Sequence, residues 1–364
     1  MGDECLPGRG GRVGAVPLPV GEPGGRVLLT GGEIAWYVVA AAVWAPSVQN
    51  TQPWRFTVSG QQISVYADAG RQLMVADPDG REMMISCGAA LFTARLALRS
   101  LGYLPRAAVL PDPGQPLLVA RLSWPQQAAR TEFEEQLFGQ VRQRRTHRGG
   151  FDLVPLPPNL LASLREGAAG YGAMLRVVAD DGRRAALAAA VETAERALRR
   201  DAERTAELAR WARPPGSAAA DGVPPTSYPA RAEHTDPDFL GRDFAHGRGW
   251  GLPPLSTAPW PRSAGVVALL TTAHDRPVDW INAGQALQRI LLTASAGGAA
   301  AALHTQPLEL GWLRESIRTG LSDGAYPQLV LRFGMVTQAA VSVRRPADDV
   351  LSAGKNDSPG ISHG

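Results

Sequence analysis

One order of elements occurs twice along this chain of 364 residues: a helix, a strand, an apolar helix and another strand. In the first copy, apolar residues from Met83 to Leu98 lie on nearly all faces of the helix, so it is expected to be buried. This helix is predicted to begin at Asp77-Pro78, with Asp as N-cap, and to end at Gly102. The repeated layout of buried helices indicates an internal duplication.

Hydrophobic periodicity assigns the other elements of both copies. The first copy is predicted to contain a helix, a hairpin and a later strand, at 34–43, 55–58 with 63–66, and 117–124. The second is predicted to contain helices at 132–145, 160–166, 183–213 and 278–303 and strands at 174–178, 266–272 and 329–336. Its greater length comes mainly from the Pro-, Gly- and Asp-rich stretch 214–261, hereafter the insertion. Such a stretch is typical of a lid, a binding loop or a disordered insert.

Composition and charge exclude several classes of protein. Lys and Arg number 37 against 34 Asp and Glu, and no dense basic run contains aromatic residues, so no nucleic-acid partner is expected. The first 32 residues lack the apolar segment of a signal peptide, and no apolar run approaches the roughly 20 residues that span a bilayer. Neither Cys5 and Cys87 nor the histidines have metal-ligand spacing. We expect a cytoplasmic protein without a membrane partner or metal.

Residues 45–56, hereafter the joint, connect the first helix to the first strand. They include two prolines, a Ser, an Asn, two Gln and a Trp, far more than a simple turn requires. Because proline fixes φ and removes a donor, the joint should be stiff, with its remaining polar groups directed outward. It could bind a planar ligand rich in donors and acceptors. It could equally be a stiff connection with solvated polar side chains.

A second cluster has four donor side chains within five residues: Arg144, Arg145, Thr146 and Arg148. This basic motif could converge on an anion such as a phosphate, since Arg provides forked hydrogen bonds. It could instead be the basic end of a helix, where Arg offsets the helix dipole. Arg344 and Arg345 could close on the same anion or be solvated. His304 could face a ligand, although a single His is more often structural.

Two of these segments resemble motifs of the FMN-dependent nitroreductase superfamily. Pro-Ser-Val-Gln-Asn-Thr-Gln-Pro-Trp at 46–54 resembles its flavin loop, and 144–148 resembles its Arg-rich phosphate motif. In ordinary nitroreductases the basic motif precedes the loop, whereas here it follows, as though two subunits were fused. This order is similar to that of the Acg subfamily of actinobacterial nitroreductase-like proteins, whose pattern is also matched at 77–82, 86–91, 221–224, 242–244, 327–334 and 344–346.

The resemblance implies an α+β, nitroreductase-like fold in two tandem halves, 33–140 and 141–351, that form an intrachain pseudo-dimer. A disordered tail at 1–32 and a flexible tail at 352–364 would flank them. It also implies one FMN between the halves, covered by the insertion at 214–261 as a lid. The implied cofactor-binding residues are Pro46, Ser47, Val48, Gln49 and Asn50 at the ring; Arg144, Arg145, Thr146 and Arg148 at the phosphate, with Arg344 or Arg345; and the backbone of His304, Thr305, Gln306 and Pro307 near flavin N5.

For the function, the resemblance implies an oxidoreductase that works by ping-pong hydride transfer. NAD(P)H would reduce FMN, and a small nitro, quinone or biosynthetic acceptor would then take the electrons. This chemistry requires no general acid from the protein, and the sequence shows no catalytic dyad. The alternative is a flavin-sequestering stress protein whose lid blocks turnover. Since both halves of the site lie in one chain, it is expected to work as a monomer.

Overall fold

The computed structural model of the chain describes residues 29–231, 234–253, 262–336 and 342–354. Within these ranges the protein has eight α-helices and twelve β-strands. The helices are α1 (Gly31–Ala42), α2 (Arg81–Ser100), α3 (Glu132–Gln140), α4 (Leu160–Ala169), α5 (Asp181–Arg200), α6 (Ala202–Ala209), α7 (Pro277–Ala296) and α8 (Gly311–Gly320). The strands are β1 (Trp54–Ser59), β2 (Gln62–Ala67), β3 (Tyr103–Val109), β4 (Leu118–Gln127), β5 (Thr146–His147), β6 (Ala173–Val177), β7 (Thr235–Asp236), β8 (Arg262–Ser263), β9 (Val266–Thr272), β10 (Ala299–Leu303), β11 (Tyr326–Met335) and β12 (Leu351–Ala353).

The strands form two mixed five-stranded sheets and a small pair. The first sheet has the order β12-β1-β2-β4-β3, and the second has the order β5-β10-β11-β9-β6. In each sheet one short edge strand runs parallel to its neighbour, β12 beside β1 and β5 beside β10, and the other four are antiparallel. The fold is therefore α+β.

The four antiparallel strands have the same topology in both sheets. The order β1-β2-β4-β3 matches β6-β9-β11-β10, and in both cases a 20-residue helix connects the second strand of this order to the fourth, α2 from β2 to β3 and α7 from β9 to β10. The sheets differ in the first connection. Two residues join β1 to β2, whereas 178–265 join β6 to β9 and carry α5, α6 and the insertion. The extra chain of the second half thus replaces a hairpin turn.

The helices α2 and α7 pack against each other and connect the two hydrophobic cores. Ile281 of α7 belongs to the core built on the first sheet, and Ile85 of α2 belongs to the core built on the second. A Cβ on Gly88 would overlap the carbonyl of Ile281, and one on Gly284 would overlap the carbonyl of Ile85. This glycine pair lets the two backbones touch, so it sets the spacing between α2 and α7 and thus between the two cores.

Two predicted helices are shorter in the structure. The predicted helix 183–213 is broken at Asp201, whose extended backbone ends α5 and whose carboxylate caps α6 by accepting a hydrogen bond from the Arg204 N–H. The predicted helix 278–303 ends at Ala296, because Gly297 and Gly298 turn the chain into β10, with φ of +75° at Gly298. The alanines of β10 have high helix propensity, and strand pairing overrides it.

Three further predictions about the elements need correction. The predicted helix 132–145 ends at Gln140, so the basic motif lies beyond it, partly in β5. The central helix begins at Arg81 instead of Asp77, although the Asp77 carboxylate accepts hydrogen bonds from the first-turn N–H groups of Glu82 and Met83. The sequence reading also missed β3, an edge strand with alternating exposure that contains a proline.

Both predicted tails contain ordered residues. The helix α1 begins at Gly31, and Thr30 and Glu33 form a capping box at its start. At the other end, residues 352 and 353 belong to β12 in the first sheet. The rest of the two predicted tails, 1–28 and 355–364, lies outside the described residues, as does Cys5. In the described ranges no helix has the length and apolarity needed to cross a membrane.

Candidate functional site

A cavity of about 410 Å³ lies where segments from distant parts of the chain meet. The joint and the first turns of α2 form one part of its wall. The basic motif and the segment after β10 form another, and the insertion forms a third. The predicted site residues in this wall are Pro46, Ser47, Val48, Gln49, Thr146, Arg148, His304, Thr305 and Gln306. The fold therefore brings together residues that are more than 250 positions apart.

The joint forms a short 3₁₀ turn, Val48–Asn50, that is held in place by hydroxyl groups. The Ser86 hydroxyl on α2 accepts a hydrogen bond from the Val48 N–H at 3.2 Å, and the Ser47 hydroxyl accepts one from the Gln52 N–H at 3.0 Å. Gln49 and Asn50 have φ of 46° and 53°, in the left-handed region that asparagine tolerates better than most residues. These bonds fix the backbone that faces the cavity.

Asn50, predicted to contact the flavin ring, lies outside the cavity wall, and its side chain binds other segments of the chain. Its amide nitrogen donates to the carbonyl of Gly222 at 2.8 Å, and its amide oxygen accepts from Arg344 at 3.1 Å. Gln52 similarly donates to the carbonyl of Ala220 at 2.8 Å. The amides of the joint thus bind the insertion to the first half.

Behind the joint, Arg144 and Arg344 lie together without carboxylate partners among the residues that the structure describes. Arg144 is 3% exposed, and its Nε and Nη1 have no hydrogen-bond partner among the described residues. Burial, together with the nearby Arg145 and Arg148, lowers the pKa of Arg144 to about 9. Burial and the same basic motif also hold the pKa of Arg344 well below its ordinary value, and its Nε is also buried without a partner. Such a site stabilises an anion, because an unpaired buried charge is costly.

The remaining basic residues have different environments. The Arg145 guanidinium donates to the carbonyls of Arg142 and Arg144 and lies over Trp44, whereas Arg148 donates to the Ser227 carbonyl at 2.9 Å and faces the cavity. Of the predicted residues, those outside the cavity wall are Asn50, Arg144, Arg145, Pro307, Arg344 and Arg345. Since α3 ends before the motif, its arginines do not serve as the last turn of that helix.

The segment after β10 places a neutral histidine in the cavity wall. Arg332 donates from Nε to His304 Nε2 at 2.8 Å, so the neutral ring carries its proton on Nδ1. Burial, with Arg332 and Arg242 nearby, holds the His304 pKa well below 6.5. The His304 main-chain N–H donates to the Val330 carbonyl at 3.0 Å, which fixes the start of this segment to β11. Thr305 and Gln306 line the cavity beyond it.

The insertion residues that cover the cavity include Phe244, which lies in the matched motif 242–244 but was not predicted as a site residue. Tyr228, Phe244 and Trp250 line it, with Tyr228 and Phe244 packed at 5.4 Å between ring centroids and Arg148 over Phe244 at 5.0 Å. Within the insertion, 232–233 and 254–261 lie outside the described residues. Glu82 is another wall residue whose position in the site was missed. An acidic residue at the start of an apolar helix is common, so the sequence does not indicate that Glu82 lines a cavity.

Asp221 fastens the base of the insertion to the first half. Its carboxylate accepts hydrogen bonds from Arg71 at 2.9 Å and Arg213 at 2.5 Å. Burial would raise the pKa of Asp221, but these two guanidinium groups hold it below 3.8. The ion pairs are therefore complete at neutral pH.

Asp221→Asn is expected to increase the rate of proteolytic cleavage within 214–222 by about tenfold, since a lost bond between charged groups is worth about 1.5–3 kcal/mol. Because the folded-state pKa lies below the unfolded value, the stabilisation is present above pH 3.8 and is lost as the pH falls below it. Pepsin cleavage of the unmodified protein should therefore accelerate at low pH. Glu203→Gln, which removes an exposed carboxyl group, is the control. Equal cleavage rates of the two variants at neutral pH would contradict the role of Asp221 in fastening the insertion.

No protein-family model matches the chain, but curated relatives do. The chain belongs to the nitroreductase superfamily, and its α+β fold is a nitroreductase-like fold. A Mycobacterium tuberculosis H37Rv protein described as "Putative NAD(P)H nitroreductase Rv3131" is 35% identical over 305 residues, covering 82% of this chain and 83% of that protein. The protein acg of the same strain, described in the same words, is 28% identical over 323 residues, covering 88% and 95%.

Solved structures similar to this chain include the FMN-dependent nitroreductase NfnB from Mycobacterium smegmatis in complex with NADPH. It is 15% identical, with a TM-score of 0.34, and the alignment covers 64% of this chain and all of that chain. A TM-score this low adds nothing to the assignment, which depends on the curated relatives.

Proposed function

We propose that this protein binds one FMN in the cavity and acts as an NAD(P)H-dependent oxidoreductase of the nitroreductase type. The observation that carries the proposal is the set of buried guanidinium groups without carboxylate partners behind the joint. A phosphate is a doubly charged anion with several acceptor oxygens, so it would satisfy the unpaired Nε of Arg144 and of Arg344. Since Arg148 extends from this cluster into the cavity, the ring of the same ligand would occupy the cavity.

The residues of the chain fit this cofactor in two regions. Arg144, Arg148 and Arg344 would hold the phosphate, and Thr146 offers a hydroxyl beside them. The ring would lie against the backbone of Pro46–Gln49 on one side and against His304–Gln306 on another, where the Nδ1 proton of His304 has no partner in the described ranges. Bound FMN would supply reversible two-electron transfer, while the protein binds it and excludes water.

We further infer that the chain is a fused pair of nitroreductase halves forming an intrachain pseudo-dimer. The matching strand order of the two sheets and the paired helices α2 and α7 support this inference. The joint belongs to the first half and the basic motif to the second. One chain would thus provide both sides of a single FMN site and would work as a monomer.

The alternative is a protein that stores FMN without turnover, and the insertion favours it. Tyr228, Phe244 and Trp250 already line the cavity, so a bound ring would be covered by them. A nicotinamide could stack on the ring only if this cover moves. The two functions therefore differ in whether the insertion opens.

Anaerobic addition of NADPH or NADH to the FMN-loaded protein separates these functions. We expect the visible band of oxidised flavin to bleach, and Asp221→Asn to bleach faster because the base of the insertion is loosened. A band that only dithionite removes would support storage and overturn the oxidoreductase. Protein that takes up no FMN would overturn both.

A further inference from the structure

A buried carboxyl group, Glu82, forms part of the cavity wall at the start of α2. Its side chain is 7% exposed, and the cavity is also lined by Ser86, one turn further along α2. The Ser86 hydroxyl donates to the Glu82 carbonyl at 2.7 Å and accepts from the Val48 N–H. The turn of helix that carries Glu82 is thus fixed to the joint, on the wall that the proposed ligand would contact.

Glu82 is not needed as the cap of its helix. An acidic residue in a first helical turn usually stabilises the helix N-terminus. Here Asp77 has that role, because its two carboxylate oxygens accept the N–H groups of Glu82 at 3.0 Å and Met83 at 2.9 Å. The Glu82 carboxyl instead accepts a hydrogen bond from Arg81 Nη2 at 3.1 Å, and Glu82 is one of the residues that line the cavity.

The charges around Glu82 come from four residues and oppose one another. Burial and the nearby Glu309 and Asp77 disfavour its ionised form, whereas Arg81 and Arg242 of the insertion favour it. Both arginines also have other partners, since Arg242 pairs with Glu309 and Arg81 donates to the Gln328 carbonyl at 2.8 Å. The balance raises the pKa of Glu82 to about 8, so the group is a neutral acid at pH 7.

We propose that Glu82 is the proton donor for the acceptor that is reduced in this cavity. This role depends on the proposed oxidoreductase function. An acceptor that gains two electrons as hydride, supplied ultimately by NAD(P)H, carries a new negative charge on nitrogen or oxygen. The O–H bond of the Glu82 acid breaks, the proton forms an N–H or O–H bond on the product, and the carboxylate then regains a proton from water. The protein thus provides a general acid that the sequence reading did not expect.

The test compares Glu82→Gln with Asp79→Asn, a matched removal of an exposed carboxyl three residues earlier. In the cofactor-free protein, the infrared carbonyl band of a protonated carboxylic acid should disappear as the pH rises through about 8. This band should be missing in Glu82→Gln and unchanged in Asp79→Asn. In the FMN-loaded protein, Glu82→Gln should slow acceptor reduction by about 100-fold and remove its decline above pH 8, whereas Asp79→Asn should leave the rate and its pH dependence unchanged.

Two results would overturn the donor role alone: the infrared band remains in Glu82→Gln, or the alkaline decline of acceptor reduction remains. Failure of the unmodified protein to bind FMN would instead overturn the proposed function, and the donor role with it. If Glu82→Gln does not fold, Glu82→Asp replaces it. That variant keeps the acid but shortens its reach, so the infrared band should persist while acceptor reduction slows. Full-rate acceptor reduction by Glu82→Asp would overturn the role.

Discussion

Replacing Arg144 by methionine is expected to change two properties in opposite directions. The FMN-free protein should gain about 1–3 kcal/mol of unfolding free energy, because a buried charge without a carboxylate partner is replaced by an apolar side chain of similar length. The affinity for FMN should fall by about 100-fold, since charge-assisted hydrogen bonds worth about 1.5–3 kcal/mol each are lost. Urea denaturation of the FMN-free protein and fluorescence titration with FMN measure the two effects.

The opposite signs separate a binding site from a structural role. A structural arginine would make the FMN-free protein less stable when it is removed, and affinity would fall only as a consequence. Arg196→Met is the control, because this exposed arginine on α5 pairs with Glu192 at the surface. It should leave affinity and stability nearly unchanged. A less stable Arg144→Met protein with unchanged FMN affinity would disprove the anion site.

Substituting Gly88 by alanine is expected to cause the largest loss of stability, about 3 kcal/mol. The added Cβ would overlap the carbonyl of Ile281 and lie 3.1 Å from the Cα of Gly284, both backbone atoms of α7. Backbone cannot rotate away as a side chain can, so α2 and α7 must separate. Because α2 also carries Ile85 and Ser86 in the cavity wall, FMN affinity should fall as well.

The matched control for this prediction is Gly139→Ala in α3. A Cβ at Gly139 would have no atom within 4 Å, so alanine there should be neutral or stabilising by up to about 1 kcal/mol through helix propensity. Urea denaturation of both variants measures the difference. Equal stabilities would show that the crossing of α2 and α7 can relax, and the glycine pair would then not set the spacing between the halves.

Local patterns in the sequence predict much of the fold. The strand β9 has the bounds predicted, and the apolar pattern of α2 correctly predicted a buried helix. The errors occur where tertiary pairing overrides propensity, as in the alanine strand β10, or where one polar residue breaks a periodic run, as Asp201 does between α5 and α6. Periodicity cannot reveal either event, because both depend on a single residue or on a distant strand.

The candidate site could be predicted only in part. The joint and the basic motif stood out because their residue types are unusual for a turn and for a helix end. The sequence could not show that Asn50 turns away toward Gly222, or that Glu82 faces the cavity while Asp77 caps the helix. The role of each side chain depends on whether it meets a partner that is distant in the sequence. Contacts of that kind follow from the assembled fold alone.

Because β12 pairs with β1, the first sheet is completed only after residues 351–353 have been synthesised. The other four strands of the first sheet lie before residue 128, yet residues 351–353 complete its edge. Until residues 351–353 have been synthesised, β1 therefore has an open edge with unpaired N–H and C=O groups, which can recruit strands from other chains. A newly made chain is thus most prone to aggregate after its first four strands have formed and before β12 pairs with β1.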